Sequence, residues 1–156
     1  MKIRYAKRDD VKTILDLIIE LAVYEKLEHE VVTDVETLEE WIFDKEKAKV
    51  LIGEVDNKVV GYCLYFYNFS TFHGKAGIYI EDIYVKKEHR GQGYGKLFFK
   101  KIAEIAEDEG CPRIEWSCLK WNKPSIDFYE SLGAEAQNEW IGFRLSGNNI
   151  KKLAEK

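Results

Sequence analysis

The spacing of apolar residues changes several times along the chain, and each change marks an element. Residues 2 to 6 read as a short strand. From Val11 onward Val11, Ile14, Leu15, Ile18 and Ala22 recur three or four residues apart, the period of a helix with one buried face, with Asp9 or Asp10 placed to cap it. A weaker helix is expected from about Asp34 to Phe43. Three runs rich in β-branched and aromatic residues then follow, Val50 to Val55, Val59 to Phe66 and Ile78 to Val85, with Asp56-Asn57 as a hairpin turn between the first two. Helical spacing returns from Gly95 to Glu109, where Phe98, Ile102, Ile105 and Ala106 share a face, and Gly110 with Pro112 ends it. Ile114 to Leu119 reads as a strand, Pro124 to Gly133 as a helix, Ile141 to Leu145 as a final strand, and the last residues as a short helix. Hairpins mixed with crossover helices imply an α/β fold, with one central twisted mixed, mostly antiparallel sheet and helices on both faces.

Composition narrows the possibilities. With 156 residues, 46% of them apolar, the chain can bury a core as a single domain, residues 1–156. No stretch approaches the roughly 18 apolar residues of a membrane span, so a soluble, cytoplasmic protein with no membrane partner is expected. Cys63, Cys111 and Cys118 are odd in number and wrongly spaced for a disulfide framework or a C-x-x-C pair, and read as small buried apolar residues. His29, His73 and His89 show no ligand spacing, so no metal is expected. A net charge of -4 argues against nucleic acid as a partner. The charge is unevenly spread. Eight acids stand against one base between Glu25 and Asp44, and six bases against one acid between Lys86 and Lys101. One region would attract a cation and the other a phosphate, unless both are ordinary solvated faces.

His89-Arg90-Gly91-Gln92-Gly93-Tyr94-Gly95-Lys96 lies between a strand and a helix, where backbone N–H groups and a helix N-terminus can hold an anion. A Walker loop needs Ser or Thr after Gly-Lys, and Leu97 follows Lys96. The spacing G-x-G-x-G, about ninety residues into the chain, also does not suit a dinucleotide fingerprint, and a kinase loop would lead into a strand. Arg90 to Gly95 instead resembles the R/Q-x-x-G-x-G/A pyrophosphate loop of the GNAT superfamily of acyl-CoA N-acyltransferases. The resemblance implies acetyl-CoA as cosubstrate, with Arg90, Gly91, Gln92, Gly93, Tyr94 and Gly95 binding it.

Glu81 and Asp82 interrupt Ile78 to Val85, a run otherwise apolar on both faces. Buried carboxylates are costly unless paired or used, and two adjacent ones point to opposite faces unless a bulge intervenes. Structural hydrogen bonding of both and functional use of at least one are the alternatives. A partly desolvated Glu81 with a raised pKa would suit a general base. Gly77-x-Tyr79-x-Glu81-Asp82-Ile83-Tyr84-Val85 and Asn68 to Phe72, together with the glycine loop, resemble the spermidine/spermine and thialysine acetyltransferase branch. That resemblance implies Glu81 acting on the attacking amine, Asp82 binding a cationic substrate, and main-chain groups of Ile83, Tyr84 and Val85 contacting the acetyl and pantetheine parts.

Asn122, Ser125 and Tyr129 share one helix face, which spacing alone leaves open between an amphipathic helix with a half-buried tyrosine and a working site. The stretch Trp121 to Tyr129 resembles the family's W-N-x-P-S-x-x-x-Y segment, which implies Tyr129 as general acid to the departing thiolate and Asn122 and Ser125 as coenzyme A ligands. Leu21 to Leu27 similarly resembles L-A-x-Y/F-E-K, implying that Tyr24 and Glu25 border the amine site. Phe143 stands where the family often has tryptophan, and residues 45 to 49 lack its aromatic-rich segment. The resemblance thus implies an N-acetyltransferase acting on a primary amine of a small cationic acceptor (polyamine, diamine or lysine-like amino acid), by direct attack in a ternary complex and as a homodimer. An idle acyl-CoA sensor and a protein or peptide acetyltransferase are the alternatives.

Overall fold

The computed structural model describes residues 1–155. The chain divides into two compact units, one from Met1 to Leu119 and one beginning at Lys120. The first holds a five-stranded sheet in the order β1-β2-β3-β4-β5, formed by Lys2–Tyr5, Lys49–Val55, Lys58–Ser70, Lys75–Val85 and Ile114–Trp116. Neighbours pair antiparallel except β4 and β5, which are parallel, so the sheet is mixed and mostly antiparallel as expected.

Local sequence accounts for most of the boundaries. Asp56 and Asn57 both take positive φ, 49° and 62°, the geometry that lets a two-residue turn follow the twist of its strands. Helix α1 (Val11–Glu25) buries Val11, Ile14, Leu17 and Ala22, so its inner face also includes Leu17. Asp10 precedes it but does not cap it. Its carboxylate accepts from Lys7 N–H at 2.7 Å and pairs with Arg4, whose guanidinium also reaches Glu54. Helix α2 (Val35–Glu39) is capped by Asp34, which accepts from Thr37 N–H at 2.8 Å, and runs on into a π-helical turn over Glu40–Asp44. Helix α3 (Tyr94–Glu109) starts at Gly93 and stops at Gly110, both left-handed.

The two faces of the sheet are covered by different helices. Ile14 and Leu17 of α1 pack with Ile42, Val50, Ile52, Tyr62 and Tyr84. Alternation in β2 sends Gly53 the other way, where an added Cβ would meet Phe98 of α3, and Phe99 of α3 packs against Trp116 at 4.9 Å between rings. Burial of such side chains stabilises by about 2 kcal/mol each.

The second unit contains α4 (Lys123–Ser131) and α5 (Asn148–Ala154). The strand expected at Ile141 to Leu145 is not formed. These residues have no ladder partner among the described residues and are exposed, Phe143 almost wholly. Apolar and β-branched side chains signal a fit to a sheet surface, but a strand also needs a neighbour to take its N–H and C=O groups.

Candidate active site

The two acids of β4 are separated by a β-bulge. Tyr65 pairs with Ile80 and Leu64 with Asp82, leaving Glu81 without a counterpart on β3. The extra residue shifts the alternation, so that Tyr79, opposite Phe66, and Asp82, opposite Leu64, fall on the same face although they are three apart. On the other side of β4 the ladder ends at Ile80 opposite Trp116. From Glu81 to Val85, β4 therefore has no strand beside it on that edge among the described residues. An added Cβ at Gly61 would run into the Tyr84 carbonyl, so a glycine here lets β3 follow β4 closely to its end.

The bulge distributes burial differently from expectation. Glu81 is exposed, and desolvation falls on Asp82 instead. Burial, opposed by a hydrogen bond from Tyr62 and aided by the charges of Glu81 and Glu25, raises the Asp82 carboxyl to about 6. Asp82 lines a cleft of about 340 Å³ with Ile18, Leu21, Ala22, Glu25 and Leu27 of α1 and its end, and Glu30 to Thr33 beyond. Burial also raises the Glu25 carboxyl. Only part of the acidic stretch serves this cleft, because Glu39 and Asp44 pair with Arg8 and Glu40 with Lys45. A cleft of similar size over Tyr5, Ala6, Ile42, Phe43 and Val50 contains none of the expected site residues.

Beyond β4 the glycine loop turns into α3. Gly91 and Gly93 have φ of 75° and 76°, and an added Cβ at either would meet no protein atom within 4 Å. The first backbone donor of α3 to be used is Leu97 N–H, on Gly93 C=O at 3.2 Å, so the N–H groups of the preceding turn point out of the helix end. Tyr94 donates to the Gln92 side chain at 3.0 Å. Arg90 donates through Nε to Val85 C=O at 3.0 Å, and its guanidinium lies 4.6 Å from the centre of the Tyr24 ring and 5.4 Å from that of Tyr84. The structure thus brings Arg90 and Tyr24 together, and joins Glu25 and Asp82 in one cleft. Asn122, Ser125 and Tyr129 lie in the second unit. Asn122 caps α4 by accepting from Ser125 N–H at 3.4 Å, and the half-buried Tyr129 lies in the last turn.

The acetyltransferase (GNAT) family profile matches residues 12–134, most of the chain and across the boundary between its two units. The chain belongs to this family. Thialysine N-epsilon-acetyltransferase of Bos taurus is 43% identical over 99% of this chain and 97% of its own, and that of Caenorhabditis elegans is 32% identical over 95% and 93%. Among solved structures, an integron cassette protein from the mobile metagenome of V. cholerae superposes with a TM-score of 0.83 at 26% identity, covering 99% of this chain and 98% of that one. The protein is an N-acetyltransferase with the GNAT fold.

The family's cosubstrate is acetyl-CoA, and the residues present fit it. The open space at Gly91 and Gly93 and the N-terminal end of α3 suit an anion, and the edge from Glu81 to Val85, unpaired among the described residues, can take an extended amide-bearing chain. The thiols offer no rival acyl carrier. Burial raises the Cys63 thiol well above its ordinary value and raises Cys111 and Cys118 as well, which keeps the unreactive form. Only Cys63 is fully buried, so the cysteine expectation holds in full there alone.

Several residues of this site carried no sequence signal. Tyr62 looks like any strand aromatic, and Val31 and Val32 sit in no periodic run, yet all border Asp82 or its cleft. Glu20, which accepts from the Tyr84 hydroxyl at 3.2 Å and pairs with Lys86, reads in the sequence as one more exposed helix acid.

Proposed function

We propose that the protein transfers the acetyl group of acetyl-CoA to a primary amine of a small cationic acceptor, a polyamine, diamine or thialysine-like amino acid, by direct attack in a ternary complex. The observation that carries this reading is the cleft beside the bulge, whose apolar walls from Ile18, Leu21, Ala22, Leu27, Val31 and Val32 lie among the carboxylates of Asp82, Glu25 and Glu30. Such a cleft suits a methylene chain bearing positive charge. The thialysine acetyltransferase activity of relatives that match nearly end to end supports it, as does an L-ornithine N5-acetyltransferase of Arabidopsis thaliana, 37% identical over 72% of this chain and 50% of its own.

An alkylamine has a pKa near 10.4, so at pH 7 roughly one molecule in 2,500 is nucleophilic and a base is required. Glu81, exposed on the bulge at the open edge of β4, removes the proton directly or through water. Asp82, with Glu25 and Tyr24, binds the acceptor. When bound, acetyl-CoA supplies the thioester carbon that the amine attacks and the thiolate that leaves. Backbone groups of Ile83, Tyr84 and Val85 hold the acyl end, and Arg90 to Gly95 hold the pyrophosphate. By the family motif rather than by a distance, Tyr129 protonates the thiolate and Asn122 and Ser125 bind coenzyme A. The whole chain acts as one catalytic domain, in a cytoplasmic homodimer, which light scattering and cell fractionation check.

The test is acetyl-CoA turnover across polyamines, diamines, thialysine, ornithine, aminoglycosides and peptides, with product masses recorded. Preference for a short cationic amine is expected. Turnover confined to peptides, or coenzyme A binding with no turnover of any amine, overturns the reading.

A further inference from the structure

Tyr62 belongs to none of the motifs that mark the site, and it lies in the hydrophobic core with Ile14, Leu17, Ile52 and Tyr84, without exposure to solvent. Its hydroxyl nevertheless donates to Asp82 Oδ2 at 2.8 Å. The register explains the meeting. Tyr62 pairs with Tyr84 and Leu64 with Asp82, so Tyr62 and Asp82 are diagonal neighbours on one face, where Asp82 arrives only because of the bulge at Glu81. The same carboxylate lines the acceptor cleft.

We infer that Tyr62 is a positioning residue for acceptor recognition, one that orients the Asp82 carboxylate at the cleft and favours its charged form. This rests on the reading of Asp82 as an acceptor-binding residue. Two charged groups near Asp82 oppose its ionisation, Glu81 beside it on β4 and Glu25 from α1. Glu30, from the turn after α1, lines the same cleft, and the buried Cys63 thiol on β3 stays neutral and adds no charge. Among the described residues no Lys or Arg is ion-paired with it. The Tyr62 hydrogen bond is the influence that works the other way. Burial holds the Tyr62 phenol protonated well above its ordinary range, so it remains a donor at every working pH. A neutral donor anchors the carboxylate without neutralising it, which an Arg or Lys partner would do at the expense of the acceptor.

The direction of the pH effect follows. Asp82 ionises through a midpoint of about 6 in the wild type. Without the phenol that midpoint moves up, so near pH 6.5 more of the carboxyl is neutral and a cationic acceptor binds less well, whereas near pH 9 both proteins are ionised. In Tyr62→Phe the KM for thialysine, or for the fastest amine of the panel if thialysine is not turned over, should rise on the order of tenfold at pH 6.5. The ratio to wild type should shrink toward one at pH 9, with kcat within about threefold and the acetyl-CoA KM unchanged. On an Asp82→Asn background the same substitution should lose its pH dependence. A carboxyl ¹³C titration of both proteins reads the coupling without turnover: the Asp82 midpoint should lie higher in Tyr62→Phe than in wild type, and a midpoint that is unchanged or lower overturns the inference. So does a Tyr62→Phe loss that is independent of pH or persists unchanged in the double variant, since it marks a packing residue. If Asp82→Asn alone leaves the acceptor KM untouched, the acceptor reading fails and this inference fails with it. If Asp82→Asn raises KM while Tyr62→Phe does not, only the inference falls.

Discussion

The loop from Arg90 to Gly95 and the cleft beside Asp82 are built from different materials. The loop is contiguous chain. Its shape comes from two glycines with positive φ and from the start of α3, and an added Cβ at either glycine would touch no protein atom. The cleft is assembled from α1, the stretch from Glu30 to Thr33 and β4, with more than sixty positions between Ile18 and Asp82. It exists only because a bulge puts Asp82 on the face that α1 covers. On the proposed reading, an anion is held by backbone that a short motif can specify, whereas acceptor choice is set by side chains that fold topology brings together. Electrostatics follow the same division. Arg90 at the loop is exposed and lies against the Tyr24 ring, while the half-buried Asp82 is close to other acids and raised to about 6.

Variants should separate the two regions. The largest effects belong to the chemistry rather than to either binding region. Tyr129→Phe should lower kcat on the order of 10² to 10⁴ with acetyl-CoA affinity retained, and near wild-type turnover with chemistry rate-limiting would remove it from the role of acid. Glu81→Gln should lose a similar factor at pH 7 and recover partly at pH 9 to 10, where the acceptor has already lost its proton. A pH-independent loss would show that Glu81 is structural. Next comes the loop. Gly93→Val should weaken acetyl-CoA binding by about a hundredfold or more in calorimetry, since a β-branched residue is strained at a φ of 76° and its side chain fills the open space there. The acceptor cleft should be untouched, and unchanged affinity would disprove the anion site.

Smaller changes are expected on the acceptor side. Asp82→Asn should raise KM for a diamine by about tenfold and barely affect a monoamine. Equal losses for both would mean that Asp82 does not read the second charge. The same variant should alter stability. A carboxyl raised to about 6 binds its proton more tightly in the folded than in the unfolded chain, where its ordinary value is 3.8. Stability is therefore lost as pH rises from about 4 through 6, the reverse of a salt-bridged aspartate. Asp82→Asn, neutral throughout, should melt about 3 to 6 °C higher than wild type at pH 7.5 and about the same at pH 4. A destabilised variant at pH 7.5 would show that the charge is well accommodated.

Legibility in the sequence followed the range of the interactions involved. The Asp56-Asn57 turn, the stop at Gly110 and the glycine loop were all readable, because each depends on backbone angles within a few residues. Helix and strand periods gave the two-faced sheet, though the inner face of α1 also takes in Leu17, and β3 and β4 extend four and three residues further into their hairpin than the apolar runs. Asp10 stood at a capping position but was drawn to Arg4 and the Lys7 N–H, a competition that a local rule does not register.

Chemistry-bearing residues were therefore legible from the chain alone wherever their geometry is local, and the glycine loop was the clearest case. Their environments were not. Adjacent carboxylates in a buried strand announced a conflict, but which of them is buried depended on where β3 and β4 lose register, and one extra residue moves every later side chain to the opposite face. Tyr62 became part of the site through that same shift. Ile141 to Leu145 has the composition of a strand and no neighbour to complete it among the described residues. Strand pairing and burial are properties of two segments at once, and only the tertiary structure specifies the second.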